Sequence, residues 1–362
     1  MKKYKKIEEW IRENIASGRF LPGDKLPSES RLCEQFGISR NSVRQAINNL
    51  VHAGWLESKK GIGTFCLLTN RNLTTNIGFV CYYTSSYIFP RIIHGCDRVL
   101  YRTGFHLLLN QSEYDLDKER SILQSLKKKG VDGIIIEPIY SGSEPSNREL
   151  LLELQSQGIP VILIDNYFPG ADFSFIALDD RRGGQIAASY LWEKGHRKIG
   201  VLYKENYFPS IQRKEGVLSF LQERGAEPRA DWIVGLRGQD PTGGAYRAGK
   251  TFFERVEELP SAFVCSSDAK SLQWIQAAEE RSIRVPEQLS IISFDNFDLA
   301  KLDKISLTSI DHPSSYMGEA AMNMLLTRIY HPEIRNRTTS LIEPVIVERA
   351  SVVNIRLVEP KK

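Results

Sequence analysis

The chain has 362 residues, 41% apolar and 25% charged, a composition that excludes a disordered or fibrous protein and allows two globular domains. Its five cysteines are an odd set without a CxxC pair, which favours reduced cytosolic thiols over a disulfide framework. The net charge of +4 is uneven, because residues 1–70 carry 12 Lys/Arg and 7 Asp/Glu whereas the other 292 residues carry 36 and 37. This basic N-terminal segment predicts contact with a polyanion.

The first 70 residues predict three helices and a hairpin. Apolar residues at helical spacing indicate a first helix over residues 4–17. Ser28 is a good N-cap for a second helix, Gly37 breaks that helix, and Ser39 caps a third. The following GWLESKKGIGTFCLL predicts two short strands around a glycine turn. This order is that of a winged helix-turn-helix domain, which we place at residues 1–68, with a polar linker over 69–75.

Arginines at the start of the third helix are unexpected, because the helix dipole disfavours cations there. Arg40 and Arg44 are four residues apart and share one helix face. In a helix-turn-helix protein this helix end faces base edges, and arginine recognises guanine by two hydrogen bonds. Asn41 and Ser42 lie beside them and suit base or phosphate contacts. A solvated helix face is the alternative for either arginine alone.

Residues 1–68 resemble the GntR family of winged-helix regulators in the motifs PGDKLPSE, FGISR, VRQAI and GIGTF. The resemblance implies that the two arginines read bases and that the wing tip reaches the minor groove. It also implies phosphate contacts at the first helix. The full set of expected DNA-binding residues is Lys3, Tyr4, Glu29, Arg40, Asn41, Ser42, Arg44, Lys60 and Gly61.

From Asn76 onward, short apolar runs alternate with helix-length amphipathic stretches. The runs are IGFVCYY, HLLLN, GIIIEP, PVILIDN, IGVLY, SAFVCSS and LSIISFD. Near-continuous apolar strands alternating with helices predict an α/β fold with parallel sheets. Polar residues such as Glu137, Asp165 and Asp295 end several runs, and open α/β sheets bind ligands at the carboxyl ends of their strands.

These polar residues suit a sugar, whose hydroxyl groups both donate to and accept from charged side chains. Glu137, Asp165, Asp295 and Arg213 are the expected hydroxyl partners. Aromatic faces against the sugar ring are expected from Tyr87, Phe89, Tyr167 and Phe168. The alternatives are helix caps or surface turns for the carboxylates and core packing for the aromatics.

Residues 76 to about 350 resemble the effector domain of the LacI/GalR family in VDGIIIEP, DDRRGGQIAASYLWEKGHRKIGVL, QRKEG, VPEQLSIISFDNFD and LTSIDHPSSYMGEAA. The resemblance implies a periplasmic-binding-protein-like domain over residues 76–362, with two α/β subdomains around a ligand. We expect the first at 76–178 plus about 311–331, and the second at 180–309 plus about 339–354. Ser267 stands where the family usually has Asn. The expected sugar-binding residues are Tyr87, Phe89, Glu137, Asp165, Asn166, Lys204, Arg213, Ser267 and Asp295.

A GntR-type head on a LacI-type body resembles a family of repressors that respond to L-arabinose. The resemblance implies that the protein binds double-stranded operator DNA as a homodimer and is released by L-arabinose. We expect the dimer contacts around helix 90–103. Another pentose or a hexose remains open as the effector. The expected location is the cytoplasm, in association with the nucleoid.

Two other functions are alternatives for this sequence. The carboxylates near the strand ends could form the acid pair of a glycoside-processing enzyme, but the basic head would then have no role. A transport binding protein would need an export signal, and Glu8, Glu9 and Glu13 interrupt any apolar run at the N-terminus. The six histidines have no metal-binding spacing and no phosphate-binding glycine loop is present. The sequence therefore predicts a non-enzymatic regulator without a cofactor and without a membrane partner.

Overall fold

The N-terminal domain of this computed structural model contains three helices and a hairpin. The structure describes residues 3–16, 19–20, 23–66, 73–84, 88–101, 103–140, 142, 145–226, 229–237, 243–298, 306–334 and 336–356, apart from the side chains of Lys3 and Ala16. The head elements are α1 (Lys3–Ala16), α2 (Glu29–Phe36), α3 (Arg40–His52), β1 (Leu56–Lys59) and β2 (Gly63–Cys66). Most of the expected linker, residues 69–72, lies outside the described residues.

The predicted caps set the two helices of the helix-turn-helix. The Ser28 side chain accepts a hydrogen bond from the backbone N–H of Arg31, and the Ser39 side chain accepts one from Ser42. Gly37 ends α2 in the left-handed conformation (φ +62°), which a side chain would disfavour. Apolar side chains of all three helices and of the hairpin meet in one buried cluster. The predicted winged helix-turn-helix is confirmed.

The first subdomain of the body has a six-stranded sheet with helices on both faces. Its elements are β3 (Asn76–Cys81), α4 (Phe89–Leu100), β4 (His106–Gln111), α5 (Leu116–Lys129), β5 (Gly133–Ile136), α6 (Arg148–Ser156), β6 (Val161–Ile164), β7 (Ser174–Leu178), α11 (Ser314–Tyr330) and β13 (Thr339–Ile342). The strand order is β13-β7-β6-β5-β3-β4, and every neighbouring pair is parallel.

The second subdomain repeats this architecture. Its elements are α7 (Asp180–Glu193), β8 (Ile199–Lys204), α8 (Phe208–Glu223), a 3₁₀ turn (Ala230–Trp232), β9 (Ile233–Leu236), α9 (Gly244–Arg255), β10 (Ala262–Cys265), α10 (Asp268–Glu279), β11 (Ser290–Asp295), β12 (Thr308–Asp311) and β14 (Ile346–Val347). The strand order is β14-β12-β11-β10-β8-β9, and only β14 is antiparallel to its neighbour.

The described chain passes between the two sheets after β7, after β12 and after β13. These crossings confirm the predicted pair of α/β subdomains. One boundary is wrong: β13 was expected in the second subdomain, but residues Thr339 to Ile342 pair in parallel with β7 of the first sheet. The third crossing therefore follows Ile342 rather than preceding Thr339.

Each subdomain contains a helix pair in which two glycines let the backbones touch. A Cβ atom added at Gly318 of α11 would lie 2.0 Å from the carbonyl oxygen of Ile92 in α4, and one added at Gly95 would lie 2.1 Å from the carbonyl of Ser315. Gly184 of α7 and Gly216 of α8 form the same reciprocal contact. Side chains at these four positions would force the helices apart.

The head contacts the end of α11. The ring of Trp55 stacks on that of His331, with centroids 3.6 Å apart, and the Arg12 guanidinium lies 4.4 Å from the Trp55 ring centroid. Ile334 packs against the hydrophobic cluster of the head. Burial lowers the pKa of His331 to about 4, although Glu333 opposes the shift, so this imidazole is neutral at neutral pH. No described helix is long and apolar enough to cross a membrane.

Candidate nucleic-acid interface and ligand cleft

The two arginines predicted to read bases are exposed at the start of α3, and one glutamate holds both. Arg44 Nε donates to the two Glu29 carboxylate oxygens at 3.0 and 3.1 Å, and Arg40 Nε lies 3.4 Å from the same carboxylate. Arg40 also donates from Nη2 to Ser30 Oγ at 3.2 Å. Arg44 uses only Nε for its contacts within the described residues, so its two Nη groups remain for an acceptor outside the protein. Glu29 therefore orients the arginines.

The other expected DNA contacts lie around this helix. Asn41 is exposed, and Ser42 is half-buried with its Oγ 3.0 Å from Ser39 Oγ. Lys60 and Gly61 are exposed at the tip of the hairpin, where Gly61 has a left-handed backbone (φ +77°). Tyr4 packs partly against the head cluster. The side chain of Lys3 lies outside the described residues.

The cleft of the body lies where the carboxyl ends of the two sheets meet. Glu137 directly follows β5 and Asp165 directly follows β6; both are 1% exposed. Asp295 ends β11 on the opposite side. Asp165 (φ +64°) and Asp295 (φ +99°) have left-handed backbones. Such strain in non-glycine residues concentrates at functional sites.

Asp165 forms a buried ion pair with His312, a residue that is not among the predicted site residues. His312 Nε2 lies 2.8 Å from Asp165 Oδ1, and Nδ1 lies 2.7 Å from Ser314 Oγ. Burial alone would lower the pKa of His312, but its hydrogen bond to Asp165 raises it. Burial alone would raise the pKa of Asp165, but the His312 charge lowers it. Because His312 directly follows β12, the rule that identified Asp165 could have found it.

We expect this ion pair to make stability depend on pH. Because the pKa of His312 is raised in the folded protein, His312 contributes fully to the free energy of unfolding below its ordinary pKa of 6.5. This contribution is lost as the pH rises through the folded-state pKa. Because the pKa of Asp165 is lowered in the folded protein, its contribution to the free energy of unfolding is present above the ordinary aspartate pKa of 3.8. This contribution is lost as the pH falls through the folded-state pKa. His312→Gln should therefore cost about 2 kcal/mol at pH 6 and less at pH 9.

Urea unfolding of both proteins at the two pH values measures this difference. The exposed His52 of the head supplies the control, and His52→Gln should leave the unfolding free energy of the body unchanged at both pH values. An equal cost of His312→Gln at pH 6 and pH 9 would contradict a charged pair.

Arg213 is at the centre of a second buried network and is 4% exposed. Its Nε donates to Asp180 Oδ1 at 2.6 Å, and its Nη1 donates to the Ser266 carbonyl at 2.6 Å and contacts Asp295 Oδ1 at 3.4 Å. Burial disfavours the charged form, but Asp180 and Asp295 outweigh it and raise the pKa of Arg213. Nη2 has no partner among the described residues. Asp180, a second residue missed in the sequence, fixes this guanidinium.

Lys204 and Ser267 line the cleft from the second subdomain. The Lys204 ammonium lies 3.2 Å from the centroid of the Tyr114 ring, a cation–π contact. Burial, reinforced by the nearby Lys270, lowers the pKa of Lys204 to about 7. Ser267 caps α10 by accepting a hydrogen bond from the Lys270 backbone. Its side chain therefore has a structural role whether or not it contacts a ligand.

The structure corrects one predicted sugar contact, Phe89, and gives another, Asn166, partners within the protein. Phe89 is buried in the hydrophobic core beneath α4, with its ring centroid 6.4 Å from that of Phe79. Asn166 Nδ2 donates to the Tyr82 hydroxyl and to the carbonyls of Pro138 and Tyr140. Because two N–H groups already serve three acceptors, Asn166 has no donor left for a ligand.

The described residues add other aromatic rings to the cleft. Tyr167 stacks on Phe175 and Phe168 is buried. Tyr87 lies outside the described residues. Rings of Tyr82, Tyr114 and Tyr207 lie beside the carboxylates, and the centroids of Tyr82 and Tyr207 are 5.8 Å apart. No spacing pattern in the sequence marks these three tyrosines.

A helix-turn-helix head that presents arginines, joined to two α/β subdomains around a polar cleft, defines a ligand-responsive DNA-binding regulator. The family model for a periplasmic binding protein-like domain matches residues 188–352, and that of the bacterial regulatory proteins of the gntR family matches residues 3–66. The chain belongs to the family of transcriptional repressors that join a GntR-type helix-turn-helix domain to a LacI-type periplasmic-binding-like domain.

Individual relatives agree with this family. The arabinose metabolism transcriptional repressor of Halalkalibacterium halodurans is 29% identical, over 99% of this chain and 97% of that protein. The HTH-type transcriptional repressor PurR of Klebsiella pneumoniae is 31% identical, over 78% of this chain and 81% of that protein. A solved LacI family transcriptional regulator from Enterococcus faecium, with bound ribose, is 26% identical and has a TM-score of 0.66 over 77% of this chain and 99% of that one.

Proposed function

We propose that this repressor binds operator DNA as a homodimer and is released from it by a sugar, with L-arabinose as the first candidate. The observation that carries the proposal is the cleft, in which Glu137, Asp165, Asp295 and Arg213 are brought together at the ends of the two sheets. Acceptors and donors placed side by side suit the hydroxyl groups of a sugar. The named relative that covers almost the whole chain is an arabinose repressor, which favours L-arabinose.

The homodimer is proposed from the requirements of the head. Helix-turn-helix repressors bind near-palindromic sites with two symmetric copies. The expected contact surface around α4 includes Tyr101, whose ring is 87% exposed directly after the helix. A large exposed aromatic side chain is typical of an interface. The proposal places this repressor with its DNA, in the cytoplasm.

A different pentose or a hexose is the second candidate effector, supported by the ribose bound to the Enterococcus relative. The proposal includes no enzymatic activity. Asp165 is paired with His312, and Arg213 is held by Asp180, so the cleft suits a bound ligand that is held and later released unchanged. The relatives named above are transcriptional regulators, which favours binding over hydrolysis.

The direct test couples DNA binding to sugar. Duplexes that the full-length protein enriches from a randomised pool are labelled, and binding is followed by fluorescence anisotropy at a fixed salt concentration. L-Arabinose, D-ribose, D-xylose and D-glucose are then added separately at millimolar concentration. We expect L-arabinose to release the duplex. Release by another sugar would replace L-arabinose as the effector. Failure to enrich any duplex, or release by none of the sugars, would contradict the proposed function.

Arg44→Ala should separate the two activities. Loss of a bidentate contact to a base costs about 1–3 kcal/mol, so affinity for the selected duplex should fall about 10- to 100-fold while calorimetric sugar binding stays unchanged. Arg19→Ala is the matched control, because Arg19 is an exposed head arginine that contacts Asn14 away from α3. Wild-type affinity and sequence selectivity in Arg44→Ala would show that Arg44 does not read bases.

A further inference from the structure

The segment Glu205 to Phe208, between β8 and α8, crosses the cleft and contacts the first subdomain. The backbone N–H of Phe208 donates to the Tyr140 carbonyl at 3.1 Å. The Phe208 ring packs against those of Tyr140 and Tyr167, with centroid distances of 5.4 and 5.6 Å. These contacts join the second subdomain to the first at the mouth of the cleft.

Tyr207, in the same segment, directs its hydroxyl group to the two buried carboxylates. Its oxygen lies 2.6 Å from Asp165 Oδ2 and 3.2 Å from Glu137 Oε1. These are the two side chains of the first subdomain that we assign to a sugar. The hydroxyl of Tyr207 therefore occupies the position between them that a sugar hydroxyl would need.

The shorter of these two contacts decides where the hydroxyl points. The Tyr207 hydroxyl donates its single proton to Asp165 Oδ2 over 2.6 Å, and Glu137 Oε1 is a second acceptor at 3.2 Å. The other oxygen of Asp165 contacts His312, and burial, reinforced by the charge of Asp165, raises the pKa of Glu137 well above its ordinary value. A sugar hydroxyl can take the place of this group, because it too has one proton to donate.

We propose that Tyr207 is an internal ligand of the sugar site, which an entering sugar must displace. The inference rests on the proposed function, since it assumes that the ligand of the cleft is a sugar. The inference adds Tyr207 as a residue that sets the affinity for the sugar. The sugar binds only those molecules in which Tyr207 has left the carboxylates, so the apparent affinity equals the intrinsic affinity multiplied by the fraction of molecules in that state. Displacement also removes two of the bonds that join the subdomains.

Tyr207→Phe tests the proposal, because it removes the hydroxyl and keeps the ring. In the ligand-free variant, Asp165 and Glu137 have no hydroxyl from Tyr207 beside them. A bound sugar supplies a hydroxyl at that position and has no tyrosine to displace. We expect sugar binding by isothermal titration calorimetry to be about tenfold tighter than in the wild type. We also expect the ligand-free variant to melt at a lower temperature. L-Arabinose is titrated first, followed by D-ribose, D-xylose and D-glucose.

Tyr190→Phe is the matched control. The Tyr190 hydroxyl also donates to a carboxylate, Glu348 Oε2 at 2.9 Å, but outside the cleft. Its loss should lower the melting temperature and leave sugar affinity unchanged. If both phenylalanine variants bound sugar more tightly, the effect would reflect general loosening and would overturn the proposal.

The remaining outcomes also decide between the proposals. A Tyr207→Phe variant that binds sugar as well as, or more weakly than, a sugar-binding wild type overturns the internal-ligand role and leaves the proposed function intact. A variant that binds sugar when the wild type does not supports the internal-ligand role in its strongest form. If neither protein binds any of the four sugars, both proposals fail.

Discussion

Replacing Arg213 with methionine is expected to destabilise the second subdomain by about 3–5 kcal/mol and to abolish sugar binding. Asp180 and Asp295 would remain buried without the guanidinium that compensates them. The Ser266 carbonyl would also lose its donor. Urea unfolding measures the loss of stability, and calorimetry with L-arabinose measures the loss of binding.

Arg213→Lys keeps the experiment informative if the methionine variant does not fold. Lysine retains the positive charge near Asp180 but has no planar fork of donors, so it cannot serve Asp180, Ser266 and Asp295 together. We expect it to fold and to bind sugar poorly. The control is Arg229→Met, because Arg229 pairs with Asp231 at the surface of the same subdomain and its loss should leave stability and sugar binding close to those of the wild type. Normal sugar binding by Arg213→Lys would restrict Arg213 to a structural role.

Gly318→Ala is expected to destabilise the first subdomain by about 3 kcal/mol. The added Cβ would lie 2.0 Å from the Ile92 carbonyl oxygen and 3.1 Å from the backbone nitrogen of Cys96. Because the obstacle is backbone, no side-chain rotation relieves the clash, and α4 and α11 must separate. Separation also weakens the contact between Cys96 Sγ and the Gly318 carbonyl.

Thermal unfolding of Gly318→Ala checks this expectation. Tyr316→Ala is the control, since Tyr316 is exposed in the same helix and its truncation should change stability by about 0.5 kcal/mol or less. Wild-type stability of Gly318→Ala would show that the two helices do not approach as closely as described.

Local sequence pattern predicted most of the fold because the central strands are buried on both faces. The apolar runs that form β3, β5, β6, β8, β10 and β11 are continuous, as parallel strands between helix layers must be. The edge strand β13 has alternating exposed residues and only four positions. Its place in the first sheet depends on the point at which the chain crosses from one subdomain to the other. No local sequence pattern predicts that point.

Without the family resemblance, which supplied Arg213 on α8, the candidate site was predictable only where it follows from strand ends. Glu137, Asp165 and Asp295 were identified because polar residues at the carboxyl ends of parallel strands face the ligand. Tyr207 could not be found in this way, because its position depends on a segment of one subdomain reaching the other. The prediction that Phe89 contacts a sugar was wrong. Phe89 is the first residue of α4, and its side chain points into the core, the usual environment of a large aromatic side chain.

Helix α11 joins the cleft of the body to the head. It starts at Ser314, whose hydroxyl contacts His312 beside Asp165, and ends at Tyr330, directly before His331, whose ring stacks on that of Trp55 of the head. Seventeen residues at ~1.5 Å each make a rod of ~25 Å, and a tilt of ~5° at the cleft end would move the far end by ~2 Å. The helix thus connects the carboxylate cluster of the cleft directly to the base of the helix-turn-helix domain.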